Sequence, residues 1–514
     1  MGGKTWESNL LPGFPQGGQS TSPLWGLAQC VDPVLAAAPP NATDPAHIYY
    51  GGMGMTKGLT TRVFVATFDD RDDPNGDLIY RNMVVVDSGN YSFQGQVLDK
   101  PAITVDPPSP GYPQGIVHFT YVVFNGTSDT DFRTKVLYVR STDGGVTFSK
   151  PVKLNGTFNK NNGTAMARTP DRTVVGGATI PGKVFVFWRT FLEENGIQVV
   201  SIDRAGNVSK PVTVAGGPNF YAYDHPSSAV TFRSSAFPTA VADKDGQLYV
   251  AWQELVDLNG APAPLQQSVG PRIVLSKSAD GQIWTPQRKA VEGYPPFAHQ
   301  FQPDLSAGGG VVSLLFWDAR RDGGPLVGGY FAGLDRRMEM RVAQAVNGGP
   351  FNTSVEVSKY PTYADGQLTG QTMPRPGYTK NNWTQCKSNN SLRPWICESV
   401  NLPNLPSTSG GTIAFFGDYV GIVSAVEFKR DNGVWRLALQ PWDLDARTFY
   451  AVFPDTRLAA FPGSPISPNV NGTWTGYAPG DNCTNPGSRN TKPFFATISP
   501  GVVARWSGEL SNTR

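Results

Sequence analysis

Apolar residues in this chain gather in short runs, and the runs repeat. Six times a stretch of β-branched, aliphatic and aromatic residues ends in Phe or Trp and gives way to a polar loop: 63–68, 119–124, 184–188, 248–252, 312–317 and 449–453. Such runs, bounded by turn formers, read as strands. Their closing aromatics, Phe68, Phe124, Trp188, Trp252, Trp317 and Phe453, are 56, 64, 64, 65 and 136 positions apart. Upstream of each run a partner strand is expected to begin at a polar residue beside Pro or Gly: Asp32-Pro33, Asp99-Lys100-Pro101, Arg168-Thr169-Pro170, Phe237-Pro238, Gln302-Pro303 and Gly417-Asp418-Tyr419.

A third strand follows each run and closes on a turn of related wording. Ser141-Thr142-Asp143-Gly144-Gly145-Val146-Thr147-Phe148 is the fullest copy, 201–208 around Asp203 is degenerate, Ser278-Ala279-Asp280-Gly281-Gln282-Ile283-Trp284 is one residue short, and 347–351 keeps only the turn and its aromatic. In such a turn Ser and Asp side chains bond nearby backbone N–H groups, Gly supplies a positive φ, and the aromatic plugs the space beneath. Four strands per unit of this length are what a propeller blade requires. The expectation is all-β, a six-bladed propeller over 1–457, with a Pro/Asn-rich loop insertion over 358–412 before the last blade and an irregular Pro/Gly/Asn-rich tail over 458–514 packed on it. The 136-residue gap is long enough for a seventh blade but shows no strand pair, so six is the count expected.

Composition agrees and narrows the functions. With 57 Gly and 44 Pro in 514 residues, about a fifth of positions interrupt helices. Charged residues are 16%, with a net charge of +2, so the chain offers no broad basic surface for nucleic acid or an anionic membrane. No apolar run is long enough to be a transmembrane helix. Four cysteines are too few for a disulfide-built core; Cys386 and Cys397 are near enough in sequence for a local bridge, which spacing alone does not decide. Eleven Asn-x-Ser/Thr sequons, at Asn41, Asn90, Asn125, Asn155, Asn162, Asn207, Asn352, Asn382, Asn389, Asn471 and Asn482, suit a secreted or cell-surface protein, or an unglycosylated bacterial one. No signal peptide is visible behind Met1.

The Ser-x-Asp-x-Gly-x-Thr-Phe/Trp turns resemble the Asp boxes of the sialidase superfamily. The order Asp99-Lys100-Pro101, Phe232-Arg233, Trp317-Asp318-Ala319-Arg320, Gly417-Asp418-Tyr419 and Asp455-Thr456-Arg457 is similar to that of bacterial sialidase-like proteins with such repeats. The likeness covers roughly residues 1 to 460 and implies the six-bladed propeller. Ser141, Asp143, Gly145, Phe148, Asp280 and Trp284 are then structural Asp-box residues. Gly2-Gly3-Lys4-Thr5-Trp6 resembles the second half of a box, which would let the first residues complete the last blade.

In a blade the start of the first strand and the end of the second emerge on one face, and the Asp boxes fall on the other. The expected functional face gathers Asp32, Asp69, Asp70, Asp99, Glu254, Asp304, Asp318, Asp418 and Asp455 with Arg71, Lys100, Arg168, Arg189, Arg233, Arg320, Arg321, Arg457 and Tyr419. Arg outnumbers Lys there, and its planar fork suits carboxylates. The bland alternative is that these charges pair between blades. A sialoside carries a carboxylate on its anomeric carbon, which repels a carboxylate nucleophile. The resemblance therefore implies Tyr419 as nucleophile activated by Glu254, Asp70 as acid/base, Arg233, Arg320 and Arg457 as clamps on the substrate carboxylate, and Arg71 and Asp418 as further substrate-binding residues. The Arg-Ile-Pro wording of true sialidases is absent.

The histidines show no metal-ligand spacing, and no cofactor is expected. The acidic run 69–77 is a possible but unfavoured Ca²⁺ loop, since Arg71 interrupts it. Two functions remain: an exo-acting glycoside hydrolase of sialidase type on terminal anionic sugars, or a non-catalytic extracellular propeller binding glycan or protein partners, or serving as a surface module.

Overall fold

The computed structural model describes residues 24–71, 78–90, 96–126, 132–173, 177–191, 194–217, 236–257, 259–263, 270–291, 300–318, 326–327, 330–331, 339–358, 384–387, 396–399, 419–455, 492–499 and 503–509. Six four-stranded antiparallel sheets follow one another as the blades of a β-propeller. Blade 1 is Leu27–Ala38, Ala46–Thr56, Thr60–Asp70 and Leu78–Asn90; blade 2 is Gln96–Asp106, Ile116–Gly126, Phe132–Ser141 and Val152–Lys153. Blade 3 is Asn161–Arg168, Val184–Thr190, Gly196–Ile202 and Val212–Gly216; blade 4 is Thr239–Ala242, Leu248–Val256, Gly270–Ser278 and Arg288–Lys289. Blade 5 is Gln300–Gly308, Val311–Asp318, Glu339–Val346 and Val355–Glu356; blade 6 is Gly421–Ser424, Phe449–Asp455, Lys492–Ser499 and Val503–Glu509.

The apolar runs become second strands because both faces of a blade are covered by its neighbours. Val184–Thr190 and Leu248–Val256 are buried at every position, as a strand buried on both sides should be. Among the described residues, apolar clusters join blades 1 and 2, 2 and 3, 3 and 4, 4 and 5, and 5 and 6, with Trp188, Trp252 and Trp317 completely or almost completely buried. Burying a side chain of that size stabilises by about 2–3 kcal/mol. Blades 6 and 1 meet where the Trp435 indole N–H donates to the Pro40 carbonyl at 2.7 Å.

Four expectations change. The run 63–68 lies in the third strand of blade 1, not the second, which accounts for the short step of 56. The true second strand, Ala46–Thr56, is rich in Gly. A Cβ at Gly51 would stand 2.7 Å from the Phe119 ring, and one at Gly54 2.6 Å from Leu27, so close packing replaced the aliphatic pattern. In blade 3, Arg168 ends the first strand instead of preceding it. The outer half of blade 6 comes from 492–509, inside the tail expected to be irregular; residues 1–23, expected to fill that place, lie outside the described residues. The 358–412 insertion contains a short hairpin, Thr384–Lys387 with Ile396–Ser399, whose register sets Cys386 opposite Cys397.

Antiparallel alternation gives each blade two distinct ends. The mouth end holds the starts of first strands and the ends of second strands. The turn end holds the connections between strands one and two and between strands three and four. At the turn end a hairpin of blade 6, Phe428–Asp431 and Val434–Leu437, lies between its first and second strands. The Arg168 guanidinium of blade 3 is hydrogen-bonded to Glu427, just before this hairpin, and stacks on the Phe428 ring. In a six-membered ring blades 3 and 6 stand opposite, so the hairpin crosses the axis and caps the turn end of the central channel. No helix among the described residues is long and apolar enough to cross a membrane.

Candidate functional site at the channel mouth

The inner strands share a local deformation. Asp32, Lys100 and Gln302 have φ of 55°, 48° and 45°, and Gly163 has +68°, each at or beside a register shift between the first and second strands of its blade. A left-handed residue in a strand forms a bulge that re-aims the neighbouring side chains. For a non-glycine residue it costs on the order of 1–3 kcal/mol, a strain held at functional sites more often than elsewhere. Pro follows it in blades 1, 2 and 5, and a missing N–H is tolerated where the ladder is already broken.

These bulges bring groups from four blades together. The Lys100 ammonium of blade 2 lies 3.8 Å from the Asp32 carboxylate of blade 1, 4.4 Å from the Tyr419 ring centre at the entrance to blade 6, and 5.5 Å from the Phe237 ring centre at the entrance to blade 4. Lys100 is 3% exposed and Tyr419 37% exposed. The mouth thus shows solvent an aromatic face and a phenol, with the Lys100–Asp32 ion pair buried beneath them, an arrangement that suits a polar ring. Next to it, Asn162 donates to Asp99 at 3.2 Å, and the Gln302 backbone N–H donates to Gln253 at 3.1 Å. Arg189 ends the second strand of blade 3 beside them. It stacks on Phe191 at 4.5 Å, and burial pushes its guanidinium well below its ordinary pKa.

Below the bulges, Asp304 of blade 5 accepts the Thr239 hydroxyl of blade 4 at 2.8 Å and the Ile422 N–H of blade 6 at 2.9 Å, with Leu305 N–H at 3.0 Å. Desolvation outweighs these donors and pushes its carboxyl up to about 6.

The structure separates several residues expected to act together. Asp70 and Arg71 end the third strand of blade 1, so they lie at the turn end, because the run preceding them is not a second strand. There Asp69 meets His47 at 3.1 Å and Arg71 at 3.1 Å, and His47 borders Gly144 of the turn 141–148. Glu254 does end a second strand at the mouth end, but it is completely buried and accepts the Trp252 indole N–H at 2.9 Å. Tyr419 is at the mouth, as expected. Arg233, Arg320, Arg457 and Asp418 lie outside the described residues, as does most of the acidic loop 69–77. Among the described residues no group of His, Cys, Asp and Glu is arranged to hold a metal.

The turns expected to be structural are tightly closed. Ser141 Oγ donates to Asp143 at 2.7 Å and accepts Gly145 N–H at 2.9 Å, while Asp143 accepts Thr147 N–H at 2.9 Å. Ser278, Asp280 and Gly281 repeat the pattern at 3.0 and 2.8 Å. Phe148 and Trp284 pack on the clusters joining blades 1 and 2 and blades 3 and 4. Lys100, Asp32 and Phe237 were visible in sequence only as members of recurring strand starts, and nothing in their wording distinguishes them from neighbouring arginines.

No protein-family model and no curated protein matches the chain. Solved structures do. A Trypanosoma rangeli sialidase in complex with the inhibitor DANA is 10% identical, covering 83% of this chain and 53% of that one, at a TM-score of 0.36. A protein of unknown function from Dyadobacter fermentans is 9% identical over 83% and 90%, also at 0.36. An α-L-arabinofuranosidase from Lactobacillus brevis is 11% identical over 56% and 83%, at 0.31. The chain spans about half the length of the Trypanosoma rangeli protein. Likenesses of this extent carry no argument about chemistry, which rests on the mouth itself.

Proposed function

We propose that the protein is an exo-acting glycoside hydrolase of sialidase type, binding a terminal anionic sugar at the channel mouth with Tyr419 at the reacting carbon. The observation that supports this reading is the exposed Tyr419 phenol held against the Lys100 ammonium, with Asp32 and Phe237 converging from two further blades. A phenol is the nucleophile suited to an anomeric centre that carries its own carboxylate. A secreted or cell-surface location accords with such a substrate.

A second reading, a non-catalytic glycan-binding propeller, is favoured by one observation: Glu254, the acid expected to activate Tyr419, is buried against Trp252. One experiment separates the two. Release of a fluorogenic aglycone from an α-sialoside should be measurable and should fall at least about a hundredfold in Tyr419→Phe. Binding of sialyllactose without turnover on any α-glycoside of a panel would establish the second reading. Neither binding nor turnover would remove both.

A further inference from the structure

The chain between blades 5 and 6 leaves the ring at the mouth end and rejoins it there. Just past the last strand of blade 5, the Ser358 hydroxyl accepts the Met340 N–H at 3.2 Å, at the start of that blade's third strand, and Tyr419 enters blade 6 beside Lys100. Within this stretch Thr384–Lys387 and Ile396–Ser399 form a two-stranded antiparallel sheet that pairs with no other described strand. Two strands of four residues are marginal in water on their own, and small units of this kind are commonly held by a covalent staple.

The register supplies one. Cys386 stands directly opposite Cys397, between the pairs Gln385 with Glu398 and Lys387 with Ile396. Directly opposed residues of an antiparallel pair have Cα atoms about 4.5–5.5 Å apart. A disulfide spans about 4.4–6.8 Å between Cα atoms, so this pair can be bridged without moving the backbone. Of the other two cysteines, Cys483 lies outside the described residues. Cys30 is a free thiol in the first strand of blade 1, and desolvation pushes it up to about 11, which makes it a poor nucleophile for exchange.

We propose that Cys386 and Cys397 are joined by a disulfide that closes 386–397 into a covalent loop, within the stretch of chain that leaves and rejoins the ring at the mouth. The bond forms by exchange with a small-molecule disulfide such as oxidised glutathione. One cysteine thiolate attacks a sulfur of that disulfide and releases one thiol; the other cysteine then attacks the protein sulfur of the mixed disulfide and releases the second. The two cysteines lose two electrons and two protons, and the small disulfide is reduced to two thiols. The loop to be closed is short, so Cys386 and Cys397 meet each other ahead of any distant thiol. Such a bond persists outside a reducing cytosol, in accord with a secreted or cell-surface location, and it does not rest on the carbohydrate reading.

A thiol census of the full chain tests the bridge. The protein is equilibrated with oxidised and reduced glutathione, unfolded in guanidinium with a chelator present, and labelled with N-ethylmaleimide. Of its four cysteines, Cys30 and Cys483 should take label, and all four should do so after reduction. Tryptic digestion without reduction should give peptides 381–387 and 388–429 as one linked species that separates on reduction. The double variant Cys397→Ser, Glu398→Cys moves one thiol to the opposite face of the hairpin and should bridge at least about tenfold less in the same mixture. Four labelled thiols in the oxidised sample overturn the proposal, and a thiol pair that merely held a metal would label in this way once chelated. Linkage of Cys386 or Cys397 to Cys30 or Cys483, glutathione left on both, or equal bridging in the shifted variant also overturns it.

Discussion

The turns at one end of the blades and the mouth at the other are built from similar parts. Each sets aspartates and polar side chains beside backbone in the left-handed region. They differ in where the partners come from. In the turns, Asp143, Asp203 and Asp280 bond only to residues within a few positions along the chain, such as Thr147, Asn207 and Ile283. At the mouth, Asp32, Lys100, Asp304 and Tyr419 find partners in other blades. A carboxylate satisfied inside its own repeat closes a hairpin, even where the finished turn then docks on the next blade, as Asn82 of blade 1 does in donating to the Gly145 carbonyl at 3.0 Å. A group satisfied across blades exists as a site only once the ring has formed.

Two glycine substitutions set this difference against a common cost. Gly145 in the turn has φ +83°, and a Cβ there would stand 2.6 Å from the Thr67 hydroxyl and 2.9 Å from the Tyr49 ring. Gly163 at the mouth has φ +68°, and its Cβ would fall 2.1 Å from the Phe237 ring. Left-handed strain and overpacking together should cost each alanine variant about 2–4 kcal/mol in urea unfolding. The outcomes should part at the site. Gly163→Ala must displace Phe237 and should weaken sugar binding beyond what its stability loss explains, while Gly145→Ala should leave the affinity of the remaining folded protein unchanged. Equal effects on affinity would show that the two ends are not independent.

Legibility in the sequence follows the same division. The turns could be read because the side-chain bonds that close them lie within eight residues, and the strands because burial on both faces demands unbroken apolar runs such as 184–188. The second strand of blade 1 was hidden because Gly51 and Gly54 yield their volume to Phe119 and Leu27, contacts that span up to 68 positions. That single misplacement carried Asp70 and Arg71 to the wrong end of the molecule. At the mouth, Tyr419 could be found from its place at a strand start. Lys100 could not be singled out, since its value depends on Asp32, Phe237 and Tyr419 arriving from three other blades. The strands within 492–509 are masked in the sequence by the Pro, Gly and Asn around them.

A smaller effect is expected from unfastening one turn. Asp143 gathers Ser141, Thr147 and backbone donors, so Asp143→Ala should cost about 1–2 kcal/mol by equilibrium unfolding and leave sugar binding intact. A loss of binding comparable to that of Gly163→Ala would contradict the assignment of this turn as closed on itself.

The least effect, and the sharpest contrast, lies in pH. Asp143 is disfavoured as an anion by burial, yet its hydrogen bonds from Thr147 and Ser141 outweigh that; Asp203 behaves alike through Asn207, and Asp280 is held mainly by the Ile283 and Gln282 N–H groups. All three carboxyls sit below the ordinary range. Their contribution is therefore present above an ordinary aspartate pKa of about 4 and is lost as pH falls through the lowered folded values. Asp304 has the opposite sign. Its folded value is raised to about 6, so its contribution is complete below an ordinary aspartate pKa and is lost as pH rises through about 6. Exchange of turn amides such as Thr147 should accordingly speed up, relative to intrinsic rate, in strong acid, and that of Ile422 should speed up toward neutral pH. Only near about pH 4 do the two contributions overlap: above it the Asp304 contribution declines, and below it those of the turns do. If the two amides instead shared one pH course, the propeller would open as a single unit, and the mouth could not be adjusted without loosening the turns.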